Sequence, residues 1–416
     1  MFDIVIRRAV LSDSPFVDPN PVDVGITAGV VTEIGPSLGA GDTELDADGC
    51  LVAAGFVETH IHLDKSRTAD RCTVTTGTLQ EAIAETTRIK GAFTEEDVYV
   101  RAERTLRDCL LNGTTVLRTQ IEVDTAIELR GWHAIRQLAR DYAGAADFQC
   151  CVFAQEGLTN SPEGDALLVR ALNEGADVIG GAPYADPDPA GQLDRVFALA
   201  RDFDVDIDLH LDLAEDVEGM QLEQVCLRTV EAGWHGRVTV GHVTQMSLLS
   251  LAEQARLADL VADAAVAVTV LPSTDLFLMG RRAEHTKPRG VLPLHTLLER
   301  GVRCSVATNN VLNAFTPYGD GSLVRAANLY ANIAHLATPS ELEQAFALIG
   351  SSAGEVLGLG RRSVRTGAQA DLVCLDCGGA AEAVSTVAQP LWGMKDGRVT
   401  FNRARPELLA PVGSPA

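Results

Sequence analysis

His60 and His62 stand one residue apart at the end of the apolar run LVAAGFVETHIH. Residues i and i+2 of a strand face the same side, so both imidazoles can address one ion. An HxH pair alone occurs often in strands that bind no metal. The other histidines add weight. Of nine in all, His210 and His242 fall late in two further strand-like runs, VDIDLHLDL and RVTVGHVTQ. Imidazole nitrogen suits Zn, Fe, Ni or Co. The remaining five, His133, His235, His285, His295 and His335, fall in helical or loop-like stretches and read as surface or packing residues. Cys374 and Cys377 have CxxC spacing, but no second pair accompanies them and ADLVCLDC reads as a strand. Two half-buried thiols are expected there, not a zinc ribbon or a redox motif.

Four imidazoles can converge only if their strands lie side by side and end at one face. Eight short apolar or β-branched runs occur in the middle of the chain, at 51–62, 114–123, 148–157, 176–184, 205–213, 237–245, 264–274 and 303–311. Between them lie stretches with apolar residues at i, i+3 and i+4, such as EEDVYVRAERTLRDCLL and SLLSLAEQARLADL, which is helical periodicity. Eight strands alternating with helices predict an α/β fold of the (β/α)8 TIM-barrel type, whose functional side chains gather at the C-terminal ends of the strands. A doubly wound sheet is the alternative, but no GxGxxG follows the first strand. Residues 1–52 and 362–416 carry short strands around Gly and Pro, and neither end is long enough to bury a sandwich core alone. They are expected to form one composite β-sandwich domain beside a barrel of residues 53–361. The last dozen residues, rich in Pro and Ala, read as a loose tail.

Composition narrows the partners. The 416 residues include 34 Lys and Arg against 57 Asp and Glu, a formal charge of −23. A nucleic-acid or anionic-membrane surface needs clustered cations, so neither partner is expected. No run of 18 apolar residues predicts a membrane span. The start MFDIVIRRAV alternates like a strand and lacks the basic and apolar segments of a secretory signal. Nine scattered cysteines, an odd number, fit reduced thiols, and a cytoplasmic homo-oligomer is expected.

The segments VETHIHLDKS, VLRTQIEVD, FAQEG, ADVIGGAPY, IDLHLD, VGHVTQM and NNVLNAFTPYGDG resemble, in matching order from about residue 45 to 365, the cytosine deaminase branch of the amidohydrolase superfamily. That branch also contains the enzyme that removes isopropylamine from N-isopropylammelide. The resemblance implies that His60, His62 and His210 bind the metal and that His242 touches the metal-bound water or the substrate. It implies that Gln155 hydrogen-bonds a heterocycle, with Asn310 and Phe315 beside it. Superfamily members with two metals use a carboxylated Lys on the third or fourth barrel strand. None of the four lysines here, Lys65, Lys90, Lys287 and Lys395, lies on those strands, so one divalent metal ion is expected, zinc first and iron as the alternative.

Two positions depart from the family pattern. Leu213 stands where a catalytic Glu is usual, and Asn309 stands where the strand-eight metal-binding Asp is usual. Leu moves no proton, and a neutral amide is the weaker base and ligand. His242 and Asp212 are therefore the expected catalytic residues, with Glu215 and Asp216 as further carboxylates from the same loop that could substitute. Asp64 and Lys65 can line the pocket or pair with neighbours, Arg118 and Glu122 are expected to form a buried ion pair beneath the barrel mouth, and LPSTDLFLMGRR can form a pocket wall or lid, or equally a dimer contact. The resulting expectation is a metal-dependent hydrolase of a C–N bond in a small nitrogen heterocycle or cyclic amide other than cytosine. The alternative is a relative that binds a ligand without catalysis, or that runs non-hydrolytic chemistry in the same pocket.

Overall fold

The computed structural model describes residues 1–12 and 20–408; most of the Pro- and Ala-rich tail lies outside them. Five strands lead the chain: β1 (Phe2–Leu11), β2 (Val22–Thr27), β3 (Val30–Gly35), β4 (Gly41–Asp46) and β5 (Leu51–Ala54). Eight follow at roughly regular intervals: β6 (Phe56–Ile61), β7 (Thr114–Glu122), β8 (Asp147–Phe153), β9 (Val178–Gly181), β10 (Asp206–Leu211), β11 (Val238–His242), β12 (Ala267–Val270) and β13 (Cys304–Val306). The last three are β14 (Leu372–Leu375), β15 (Pro390–Lys395) and β16 (Arg398–Asn402).

Strands β6 to β13 pair in sequence order, all parallel, with helices in the crossovers. The ring closes where Ile61 bridges Asn309, with the His62 amide donating to the Asn309 carbonyl and the Asn309 amide to the His60 carbonyl, each at 2.9 Å. This is the expected (β/α)8 barrel. Strand β7 is buried along its whole length, because one face meets helices and the other fills the barrel. Helix Arg130–Asp141 shows the outer layer: Trp132, Ile135 and Leu138 recur at three-residue steps and are buried against the sheet. Each such side chain contributes about 1.5–3 kcal/mol of burial.

Both termini build the second sheet, in the order β16-β15-β14-β5-β1-β2-β3, with β4 added beside β1. Its core includes Ile6, Val24, Val52, Leu372, Trp392 and Met394. The run 51–62, read as one strand, is in fact two. Strand β5 pairs with β1 and β14, β6 pairs with β7, and Gly55 lies between them. A Cβ at Gly55 would sit 2.3 Å from Thr115 Cγ2, so only glycine lets the chain pass from one sheet to the other here. Cys374 and Cys377 are both free and buried. Among the described residues, no helix is long and apolar enough to cross a membrane.

Candidate metal centre

His60 is the penultimate residue of β6, His62 follows the strand's end, and His210 projects from β10. The His210 Nε2 atom lies 3.1 Å from His60 Nε2 and 3.0 Å from His62 Nε2. Among the described residues, this is the one set of three His, Cys, Asp or Glu side chains whose ligand atoms all come within 4.8 Å of one another. The Phe153 ring stacks on His210 at 4.5 Å between centroids, which holds the imidazole from the side. Gly241 leaves room for His60, whose Cε1 would lie 3.3 Å from any Cβ there. On its far side, His60 Nδ1 faces Gln120 Nε2 at 3.3 Å and Asp208 Oδ1 at 3.5 Å. A proton on Nδ1 shared with the Asp208 carboxylate would turn the Nε2 lone pair toward the other two rings.

The electrostatics fit a cation. Burial pushes all three imidazoles below the usual histidine range, and for His60 the Asp208 carboxylate offsets part of that push. They are thus neutral near pH 7, the form that ligates a metal. Both polar atoms of the buried Asn309 side chain lack a hydrogen-bond partner. Buried amides seldom stay unsatisfied, so this one calls for a partner from outside the chain.

Alternate residues of β7 meet partners at successive depths of the barrel. Arg118 meets Asp208 at 3.0 Å, Gln120 meets His60, and Glu122 meets Lys65 at 2.6 Å. The expected Arg118–Glu122 pair does not form. Four residues along a strand span about 13 Å, so a shared face is not a contact.

Asp212 follows the end of β10, two residues after His210, and its carboxylate accepts from the amides of Gln221, at 2.7 Å, and Leu222, at 3.1 Å. Burial raises its pKa to about 6, against the pull of those two amides. Asp212, expected as a catalytic carboxylate, thus holds the start of helix Leu222–Ala232 with both oxygens. Glu215 and Asp216 likewise turn away, toward Arg282. The carboxylate at His242 is Asp275, with Oδ1 2.6 Å from Nδ1. The His242 ring centroid lies 5.7 Å from that of His210 and 6.1 Å from that of His60.

A polar wall adjoins the histidines. Lys65 Nζ bonds Glu122 Oε1, lies 3.4 Å from Gln155 Oε1 and sits 4.3 Å over the Phe315 ring. Gln155 Nε2 donates to the Tyr184 hydroxyl at 3.2 Å. Glu122 also meets Lys90, which pairs with Asp124 and Glu156. Asp64 accepts from the amides of Lys65 and Glu122, so it pairs with neither side chain. Asn310 Oδ1 accepts from Asn313 Nδ2 at 2.7 Å, and Asn313 Oδ1 in turn accepts from the Phe315 amide. Leu213 is buried with Leu79, Leu278, Met279 and Phe315 in a separate apolar cluster. Those residues follow the C-terminal ends of β10, β6, β12 and β13, so the cluster covers the end of the barrel that bears the histidines.

Sequence reasoning missed Asp208, Gln120, Phe153, Tyr184 and Asp275. Asp208 was within reach, because it stands two residues before His210 and shares its face. Asp275 carried no such signal.

The family model described as the amidohydrolase family matches residues 132–401. N-isopropylammelide isopropyl amidohydrolase of Pseudomonas sp. (strain ADP) is 28% identical, across 96% of this chain and 97% of that one. Pterin deaminase of Rhizobium rhizogenes is 27% identical, across 92% and 89%. The crystal structure of 5-methylcytosine deaminase from Klebsiella pneumoniae, liganded with 5-fluorocytosine, superposes with a TM-score of 0.92 at 26% identity, covering 98% of this chain and 100% of that one.

Proposed function

Since the chain belongs to the amidohydrolase family, we propose that it hydrolyses a C–N bond on a small nitrogen heterocycle or cyclic amide with one divalent ion held by His60, His62 and His210. The convergence of three neutral Nε2 atoms beside the unpartnered Asn309 amide carries this reading. The relatives named above act, by their names, on an ammelide, a pterin and a methylcytosine, which supports the substrate class. A bound zinc or iron(II) ion would supply Lewis-acid activation of water near neutral pH. Three imidazoles suit zinc first, with the Asn309 carbonyl oxygen as the added neutral donor.

The chain's own groups do the rest. Gln155 and Asn310 offer hydrogen bonds to ring heteroatoms, and Phe315 offers an apolar face. Lys65 is paired with Glu122, so its ammonium offers no uncompensated charge to a ligand, which suits neutral planar rings. His242 takes a proton from the attacking water and returns it to the leaving nitrogen. The apolar cluster around Leu213 keeps bulk water out.

Elemental analysis of purified protein, with a screen of amino- and alkylamino-substituted oxo-triazines, pyrimidinones and pterins for amine release, tests the proposal. Metal in the protein with release from a neutral ring supports it. Full activity without metal, or turnover confined to phosphorylated compounds, overturns it. The second reading, a ligand-binding protein without catalysis, is favoured by Leu213 and Asn309 and predicts ring binding with no release.

A further inference from the structure

We propose that Asp275 is the positioning residue that makes His242 a proton carrier, replacing the carboxylates absent at Leu213 and Asn309. This rests on the hydrolase reading above. Asp275 is fully buried. Its Oδ1 faces His242 Nδ1 at 2.6 Å, and its Oδ2 accepts from the Leu271 amide at 3.1 Å. The Asp275 amide donates back to the Leu271 carbonyl at 3.0 Å. The short helix that bears it, Pro272–Leu278, is tied to the loop after β13 by a 2.6 Å bond between the Thr274 and Thr316 hydroxyls. The carboxylate therefore stands on a fixed support. Among the described residues it pairs with no Lys or Arg, so its charge serves His242.

His242 itself is held in an uncommon backbone conformation. Its φ is 73° and that of Val243 is 52°, two successive left-handed residues without glycine. Such residues are strained and persist where the surroundings impose them. Here the Val243 amide donates to the Leu211 carbonyl at 3.0 Å, which pins the turn. The turn takes the imidazole out of strand alternation and lays it between the metal-site rings and Asp275.

With Nδ1–H donated to Asp275, His242 keeps Nε2 as its basic atom. In hydrolysis the water oxygen bonds the ring carbon while one water proton passes to Nε2, and Asp275 faces the imidazolium so formed. The C–N bond then breaks with its electron pair on nitrogen, and Nε2 returns that proton to it. The products are the hydroxy or oxo ring and the free amine, so atoms and charge balance. Neither step needs a carboxylate at position 213 or 309.

Metal-loaded full-length protein and N-isopropylammelide, compared with its N-aryl analogue, test this. Asp275→Asn should lower kcat for the isopropyl compound by about 10²–10⁴-fold with KM nearly unchanged. The aryl analogue, whose nitrogen needs less protonation, should lose less, and Asp275→Glu should recover part of the rate. A kcat within about threefold of the parent, or equal losses for both leaving groups, overturns the proposal. A second arm reads the His242 ring by ¹⁵N NMR in metal-free parent protein. Nδ1–H there supports the proposal and a dominant Nε2–H tautomer overturns it, even where Asp275→Asn does not fold. If the parent releases no amine from any ring, the hydrolase reading fails, while the tautomer still decides the role of Asp275.

Discussion

Asp208 holds Arg118 with one oxygen, at 3.0 Å, and faces His60 Nδ1 with the other, at 3.5 Å, wholly inside the barrel. One carboxylate thus balances a buried guanidinium and faces one of the three convergent imidazoles. Asp208→Asn should weaken metal affinity by about 10–100-fold, the usual effect of losing such a partner. It should also destabilise the fold by about 3–5 kcal/mol, because Arg118 is left without its counter-charge. Competition titration with a chelator and denaturant melts measure the two effects separately. Unchanged affinity would remove Asp208 from the metal's surroundings.

Removing a convergent imidazole should remove the metal. His60→Ala and His210→Ala are expected to be purified with little or no bound ion, and His133→Ala with the parent content. Ion binding to the folded state alone stabilises by mass action, so the parent's Tm should fall on chelation and the two site variants should not respond. Elemental analysis with paired thermal melts is the check.

Glu122 predicts a pH dependence of stability. Burial alone would raise its pKa, but the Lys65 and Lys90 ammonium groups prevail and hold it well below the carboxylate range. A carboxylate with a lowered folded-state pKa stabilises fully above its unfolded value of about 4.3 and loses that stabilisation as pH falls further. The stability gap between parent and Glu122→Gln should thus be constant near neutral pH and shrink below about pH 4.3. A gap that widens on acidification would reverse the assignment.

Leu213→Glu, alone or with Asn309→Asp, asks whether a family-type carboxylate can be restored. Leu213 is buried among Leu79, Leu278, Met279 and Phe315, so the new carboxyl enters an apolar cluster. The single variant should lose stability, by about 1–3 kcal/mol even if the group stays protonated. Ammonia release from cytosine should be slow or absent in the parent and rise in the double variant. Parent turnover of cytosine at rates typical of enzymes, about 1–1000 per second, would show that the carboxylates were dispensable.

Gln155 joins Lys65 to Tyr184 in the polar wall beside the histidines. Gln155→Ala should raise KM or abolish turnover on the best ring found by screening, with metal content unchanged. An unaltered steady-state profile would take Gln155 out of the substrate contacts.

The barrel, its eight strands and the HxH pair were legible in the chain because they rest on local regularities. A strand repeats every two residues and a helix every 3.6, and the late position of His60, His62, His210 and His242 in their runs places them at one end of any parallel barrel. The departures at Leu213 and Asn309 are likewise matters of residue type. Partner choice was not legible. Arg118 and Glu122 share a face yet bond to residues 90 and 57 positions away, because distance along a strand keeps them apart. Asp212 looked available until the fold brought two helix amides onto it, and Asp275 reached His242 only because a short helix after β12 folds back over the barrel mouth. Periodicity dictates which way a side chain points, whereas its acid or base partner depends on how loops from distant strands pack over one opening. Only the closed barrel, with its loops in place, decides that.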